Sequence, residues 1–100
     1  MSQFKIYVTP AALREIESLP GNMRQRIRRE INSLATAPRP AHSKQLQMPE
    51  LPRELWRLRI DRWRIVYAVT SDDAAIDILA VRKRPPYDYG DLEGLLGKIK

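Results

Sequence analysis

Apolar and polar residues alternate in three stretches of this chain and recur at helical spacing in three others. Phe4, Ile6 and Val8 alternate with Lys5, Tyr7 and Thr9, the pattern of a first strand that buries one face. Thr9 and Pro10 then open a helix. Threonine suits the N-cap, and proline suits the first helical position, where its missing N–H costs nothing. Leu13, Ile16 and Leu19 give this helix its apolar stripe, and Pro20-Gly21-Asn22 ends it. A second helix is predicted from about Met23 to Ala37, capped by Asn22 and stopped by Pro38, with Met23, Ile27, Ile31 and Leu34 on one face. The stretch from Pro38 to Pro52 contains Pro38, Pro40, Pro49 and Pro52 and little periodicity. It reads as a connector without an element of its own.

The clearest pattern runs Trp56-Arg57-Leu58-Arg59-Ile60-Asp61-Arg62-Trp63-Arg64-Ile65-Val66-Tyr67. Its period of two predicts two strands, each with a buried face and a cationic face. Trp56, Leu58 and Ile60 point inward on the first, and Trp63, Ile65, Tyr67 and Val69 on the second. With Asp61 and Arg62 at a hairpin tip, Ile60 lies opposite Trp63, Arg59 opposite Arg64, and Arg57 opposite Val66. Like charges directly opposite each other destabilise a sheet, so this arrangement suggests an anion to be held there. Phosphate fits, because the planar arginine fork matches its oxygens.

A turn at Thr70-Ser71-Asp72-Asp73 leads to a strand from about Ala75 to Arg82, where Ile76, Ile78 and Ala80 alternate with Asp77, Leu79 and Val81. Both faces are largely apolar, which places it inside a sheet. Arg82-Lys83-Arg84 ends it with more positive charge, and Pro85-Pro86 stops regular structure. Tyr87-Asp88-Tyr89 then precedes a tail in which Leu92, Leu95, Leu96 and Ile99 share one helical face, weakened by Gly94 and Gly97.

At 100 residues the chain is expected to form a single domain, residues 1–100, with one modest core. It contains no apolar run of the length a membrane span needs and no apolar amino-terminal block, so a cytoplasmic protein is expected, with no membrane partner. It has no cysteine, which removes disulfides, thiolate chemistry and cysteine-bound zinc. Its one histidine, His42, argues against a histidine metal site and reads as a surface residue. The net charge of +6 favours a polyanionic partner, either nucleic acid or an acidic protein segment. Arg24, Arg26, Arg28 and Arg29 on the second helix could follow a phosphate backbone, but a solvated helix face explains them more simply. Trp56 and Trp63 could stack on bases, yet they share the parity of Leu58 and Ile65 and fit the core better.

The order strand, two helices and three-strand meander with a basic inner hairpin resembles the RelE/ParE superfamily of bacterial toxins from type II toxin–antitoxin systems. The resemblance rests on Trp56-Arg57-Leu58-Arg59, on Arg62-Trp63-Arg64-Ile65-Val66-Tyr67, and on Ile78-Leu79-Ala80-Val81-Arg82-Lys83-Arg84 followed by tyrosines. It implies an α+β fold of order β-α-α-β-β-β, with two N-terminal helices on a mainly antiparallel four-stranded sheet and a short C-terminal helix. RelE-like members are ribosome-dependent endoribonucleases that cut messenger RNA in the decoding site, whereas ParE-like members inhibit DNA gyrase and cleave nothing. This chain supplies the basic and tyrosine residue types of the RelE-like branch, which is the branch favoured.

That resemblance implies a metal-independent, cofactor-free attack of a ribose 2′-hydroxyl on the adjacent phosphate. Arg64 and Arg84 would stabilise the transition state, and Tyr89 or Tyr87 would move the proton. Arg57 and Arg59 would align the RNA backbone, with Arg62, Arg82 and Lys83 as further RNA contacts. Arginines stand at 57 and 59 where well-known members carry lysine, and two tyrosines are offered where one is expected. The implied partners are a cognate antitoxin, the ribosome and messenger RNA, with operator DNA reached only through the antitoxin. The other readings are a gyrase inhibitor of the ParE type and a non-toxic regulatory member that binds antitoxin.

Overall fold

A computed structural model of the protein describes residues 3–46 and 54–83. The elements run β1 (Lys5–Val8), α1 (Pro10–Glu17), α2 (Gly21–Ser33), β2 (Ser43–Leu46), β3 (Glu54–Ile60), β4 (Trp63–Thr70) and β5 (Ala75–Lys83). All five strands join one sheet in the order β1-β5-β4-β3-β2, with β1 parallel to β5 and the other neighbours antiparallel.

The expected four-stranded sheet is therefore corrected to five strands, in the order β-α-α-β-β-β-β. The additional strand, β2, falls within the proline-rich stretch read as a connector. Ser43 to Leu46 pair antiparallel with Leu58 to Leu55 of β3, so the ladder satisfies the backbone groups on the β3 side of this polar edge segment. The predicted C-terminal helix around Leu92 to Ile99 lies outside the described residues.

Helix α1 begins as its sequence dictates. Thr9 is the N-cap, its hydroxyl oxygen accepts from the Ala12 amide, and Pro10 occupies the first turn. The Thr9 hydroxyl also donates to the Ile78 carbonyl at 2.8 Å, tying the end of β1 to β5. The α1 stripe differs from expectation: Ala12, Ile16 and Leu19 are buried, while Leu13 is 42% exposed. Helix α2 starts earlier than expected, with Pro20 rather than Asn22 as its cap, because the Pro20 carbonyl already accepts the Arg24 amide. It also ends earlier, at Ser33. Leu34 and Ala35 donate to carbonyls three residues back, the tighter winding by which helices commonly terminate. The Ala35 carbonyl accepts the Phe4 amide instead.

The main core lies between the two helices and one sheet face. Ala12, Ile16, Ile27, Ile31 and Leu34 meet Leu58, Ile60, Ile65, Tyr67, Val69, Ile76, Ile78 and Val81, with Trp56 and Trp63 packed against them. Both tryptophans thus take the core position their parity suggested. A smaller cluster of Leu55, Val66, Ala68, Leu79 and Ala80 occupies the other face. The edge strand β1 buries less than expected, with Val8 37% exposed.

The segment after α2 is pinned from three sides. The buried Tyr67 hydroxyl donates to the Pro38 carbonyl at 2.8 Å, and Arg39 reaches both Glu54 at 2.6 Å and Ser71 at 3.0 Å. The hydrogen bond from Arg39 holds the Glu54 carboxyl below its usual range, and burial pushes the Tyr67 phenol above its own.

Candidate phosphate-binding face

The β3–β4 hairpin has the register read from its pattern, with Ile60 opposite Trp63, Arg59 opposite Arg64, and Arg57 opposite Val66. Its two-residue tip places Asp61 at φ 54°, a backbone region that aspartate tolerates better than most residues. The Asp61 carboxylate also takes an ion pair from Arg26 of α2, fixing the tip against the helix layer.

Alternation then puts Arg57, Arg59 and Arg64 on the sheet face away from the helices. β5 adds to this face through an irregularity. Val66 pairs with Ala80, but Tyr67 pairs with Ile78, so Leu79 is an extra residue in the ladder. Such a bulge shifts side-chain parity along one strand. Before it Ile76 and Ile78 face the helices. After it Val81 does, while Leu79 and Ala80 both join the opposite cluster. The expected alternation of Ile76, Ile78 and Ala80 is thereby broken at Ala80, and Arg82 becomes the cross-strand partner of Arg64.

A row of three arginines, Arg59–Arg64–Arg82, therefore crosses three adjacent strands. Behind it, Arg57 pairs with Lys44 of β2. Lys44 escaped the sequence reading because its strand did; the weak alternation in Ser43-Lys44-Gln45-Leu46 is the only signal that could have shown it. Arg64, at the centre, is only 4% exposed. Its Nη1 donates to the Trp63 carbonyl at 3.2 Å and the Asp61 carbonyl at 3.4 Å. Arg59 is exposed, and Arg57 and Arg82 are half-buried. Arg82 Nε meets a Glu15 carboxylate oxygen at 3.2 Å, and the other Glu15 oxygen accepts the Val81 amide at 2.8 Å.

The remaining sequence candidates separate from the row. Arg62 stands at the hairpin tip, where Met23, Arg59, Asp61 and Trp63 join it around a cleft of about 430 Å³. Lys83 pairs with Trp63 and so shares the helix-side parity, away from Arg82. Arg84, Tyr87 and Tyr89 lie outside the described residues. His42 is exposed and approaches Glu30 at 3.6 Å; it directly precedes Ser43, the ladder partner of Leu58. Among the described residues no three His, Cys, Asp or Glu side chains gather as a metal site, and no helix is long and apolar enough to cross a membrane.

Cations are thus arrayed across one face of a small mixed sheet whose other face is covered by two N-terminal helices. The chain belongs to the family described as ParE toxin of type II toxin–antitoxin system, parDE, whose family model matches residues 6–85. It is similar in structure to RelE in the archaeal RelE–RelB complex from Pyrococcus horikoshii OT3, with TM-score 0.74 and 22% identity over 87% of this chain and all (100%) of that one. The toxin–antitoxin complex RelBE2 from Mycobacterium tuberculosis gives TM-score 0.70 and 19% identity, covering 82% of this chain and 99% of that chain. The isolated E. coli RelE toxin gives 0.68 and 17%, covering 97% and 99%. These likenesses are of fold. No curated protein matches the sequence.

Proposed function

We propose that this toxin is a ribosome-dependent endoribonuclease that cleaves messenger RNA in the decoding site. The observation that supports this reading is the Arg59–Arg64–Arg82 row, with its buried central guanidinium already held by backbone carbonyls. Three adjacent cations repel one another; the Glu15 carboxylate beside Arg82 offsets part of that repulsion, and a bound phosphate offsets more. An RNA phosphate, gaining charge as it becomes a phosphorane, gains most from donors fixed in advance.

The 2′-oxygen attacks phosphorus, the P–O2′ bond forms and the P–O5′ bond breaks, leaving a cyclic phosphate and a 5′-hydroxyl. One proton leaves the 2′-hydroxyl and one reaches the departing 5′-oxygen. Arginine keeps its proton throughout the ordinary pH range and serves to hold charge. Arg64 and Arg84 therefore stabilise the transition state, Arg57 and Arg59 grip the backbone with Arg82 and Lys44 beside them, and Tyr89 or Tyr87 moves a proton. The ribosome supplies substrate alignment, which can contribute several kcal/mol to the barrier reduction. The partner is a cognate antitoxin, as in the RelE–RelB complexes the fold resembles; operator DNA is reached through that antitoxin, and the site of action is the cytoplasm.

A second reading, inhibition of DNA gyrase without cleavage, is favoured by the family model, whose description is ParE toxin. Primer-extension mapping of a defined message in a purified translation system, beside a gyrase supercoiling assay, separates the two. The ribonuclease reading expects ribosome-dependent cuts within codons and unaffected supercoiling; intact message with blocked supercoiling would overturn it.

A further inference from the structure

We infer that Glu15 is a positioning residue for the arginine row, a role that rests on the ribonuclease reading above. β1 accompanies β5 only as far as the Val8–Ile78 pair, after which the chain turns into α1 at Thr9. Beyond Ile78 no strand among the described residues lies beside the outer edge of β5. Glu15, one and a half turns into α1, stands in for the departed strand: one carboxylate oxygen accepts the Val81 amide at 2.8 Å. The other accepts from Arg82 Nε at 3.2 Å.

The same carboxylate thus anchors the backbone just past the bulge and the guanidinium that the bulge delivers. Its partner residues are partly enclosed, at 29% side-chain exposure for Arg82 and 31% for Glu15. Held through Nε, a guanidinium loses its main rotational freedom while its terminal nitrogens keep a fixed direction. The negative charge also moderates repulsion among three neighbouring cations. Glu15 therefore orients Arg82 for the phosphate without touching the phosphate itself.

This role makes an unusual demand on the Glu15→Gln variant. Glutamine still offers an oxygen to the Val81 amide but turns its NH2 toward Arg82, and the variant gains one net positive charge. RNA affinity should therefore hold or tighten while cleavage slows. The test is single-turnover cleavage of ribosome-bound message by wild type, Glu15→Gln, Arg82→Ala and the double variant. A charge-assisted hydrogen bond lost from the row corresponds to a rate fall of roughly tenfold or more. The expected result is that fall with an unchanged or lower half-saturating concentration, and no further fall when Glu15→Gln is added to Arg82→Ala. Wild-type rate in Glu15→Gln, the same loss in both backgrounds, or failure of the variant to fold would each overturn the inference, the last two by making Glu15 merely structural.

Hydrogen exchange at Arg82 Nε, followed by NMR, gives a readout independent of cleavage. Protection relative to Arg59 in wild type, lost in Glu15→Gln, is expected. Absence of that protection overturns the positioning role even if the toxin cleaves, and failure of wild type to cleave rejects the ribonuclease reading while exchange still decides the role of Glu15.

Discussion

Arg64 shows at the scale of one residue how a cation is made ready for an anion. A buried guanidinium is costly unless hydrogen-bonded, and here the carbonyls of Asp61 and Trp63 supply part of that satisfaction from the hairpin itself. The group is ordered before any ligand arrives, so less freedom is lost on binding. Tyr67 uses a polar atom differently. It is fully buried and its hydroxyl holds the Pro38 carbonyl. Tyr67→Phe should cost about 1 kcal/mol in urea unfolding, the usual value of one such bond. Because burial raises the phenol pKa, the folded protein keeps this proton to higher pH than the unfolded chain does. The stabilisation is complete below the ordinary tyrosine pKa of about 10 and is lost as pH rises through the folded value. The stability gap between wild type and Tyr67→Phe should therefore narrow above about pH 10; a gap constant across that range would show that the hydroxyl contributes nothing to the alkaline limb.

At the scale of elements, the junction of β1, α1 and β5 carries more than its length suggests. The Thr9 hydroxyl caps α1 and bonds the Ile78 carbonyl at once, so Thr9→Ala should destabilise the fold by about 1–2 kcal/mol. Thr9→Ser should recover most of that loss in the same unfolding measurement, and equal loss in both variants would point to the methyl group instead. The cap could be read in the sequence, because threonine suits the N-cap and proline the first helical position; the bond to Ile78, 69 residues away, could not. The hairpin was legible for a similar reason: alternating arginine and apolar residues mark every position of the register. β2 was not. Ser43-Lys44-Gln45-Leu46 lacks β-branched residues and sits among prolines, and only its pairing with β3 makes it a strand. The bulge was hidden too. Ile78, Leu79, Ala80 and Val81 are all apolar, so a parity switch among them leaves no mark in the pattern, and with it went the placement of Arg82. Glu15 was equally invisible, since its two partners lie 66 and 67 residues away in the chain.

At the scale of the whole molecule, positive charge appears on two separate surfaces. One is the sheet face with Lys44, Arg57, Arg59, Arg64 and Arg82; the other is α2, with Arg24, Arg26, Arg28 and Arg29. A net charge of +6 draws polyanions to both, and charge alone cannot distinguish general attraction from a built site. Cleavage is expected to depend on the sheet face, because its cations are placed by register, bulge and hydrogen bonds. The most direct measurement compares two double variants of equal charge change, Arg59→Ala/Arg82→Ala and Arg28→Ala/Arg29→Ala, in ribosome-dependent cleavage at saturating enzyme. With each lost charge-assisted contact corresponding to roughly tenfold or more, the sheet-face pair should lose on the order of a hundredfold in rate. The helix pair should change by less than about threefold once binding is saturated. Equal losses in the two variants, or a larger loss from the helix pair, would contradict the assignment of the arginine row as the phosphate site.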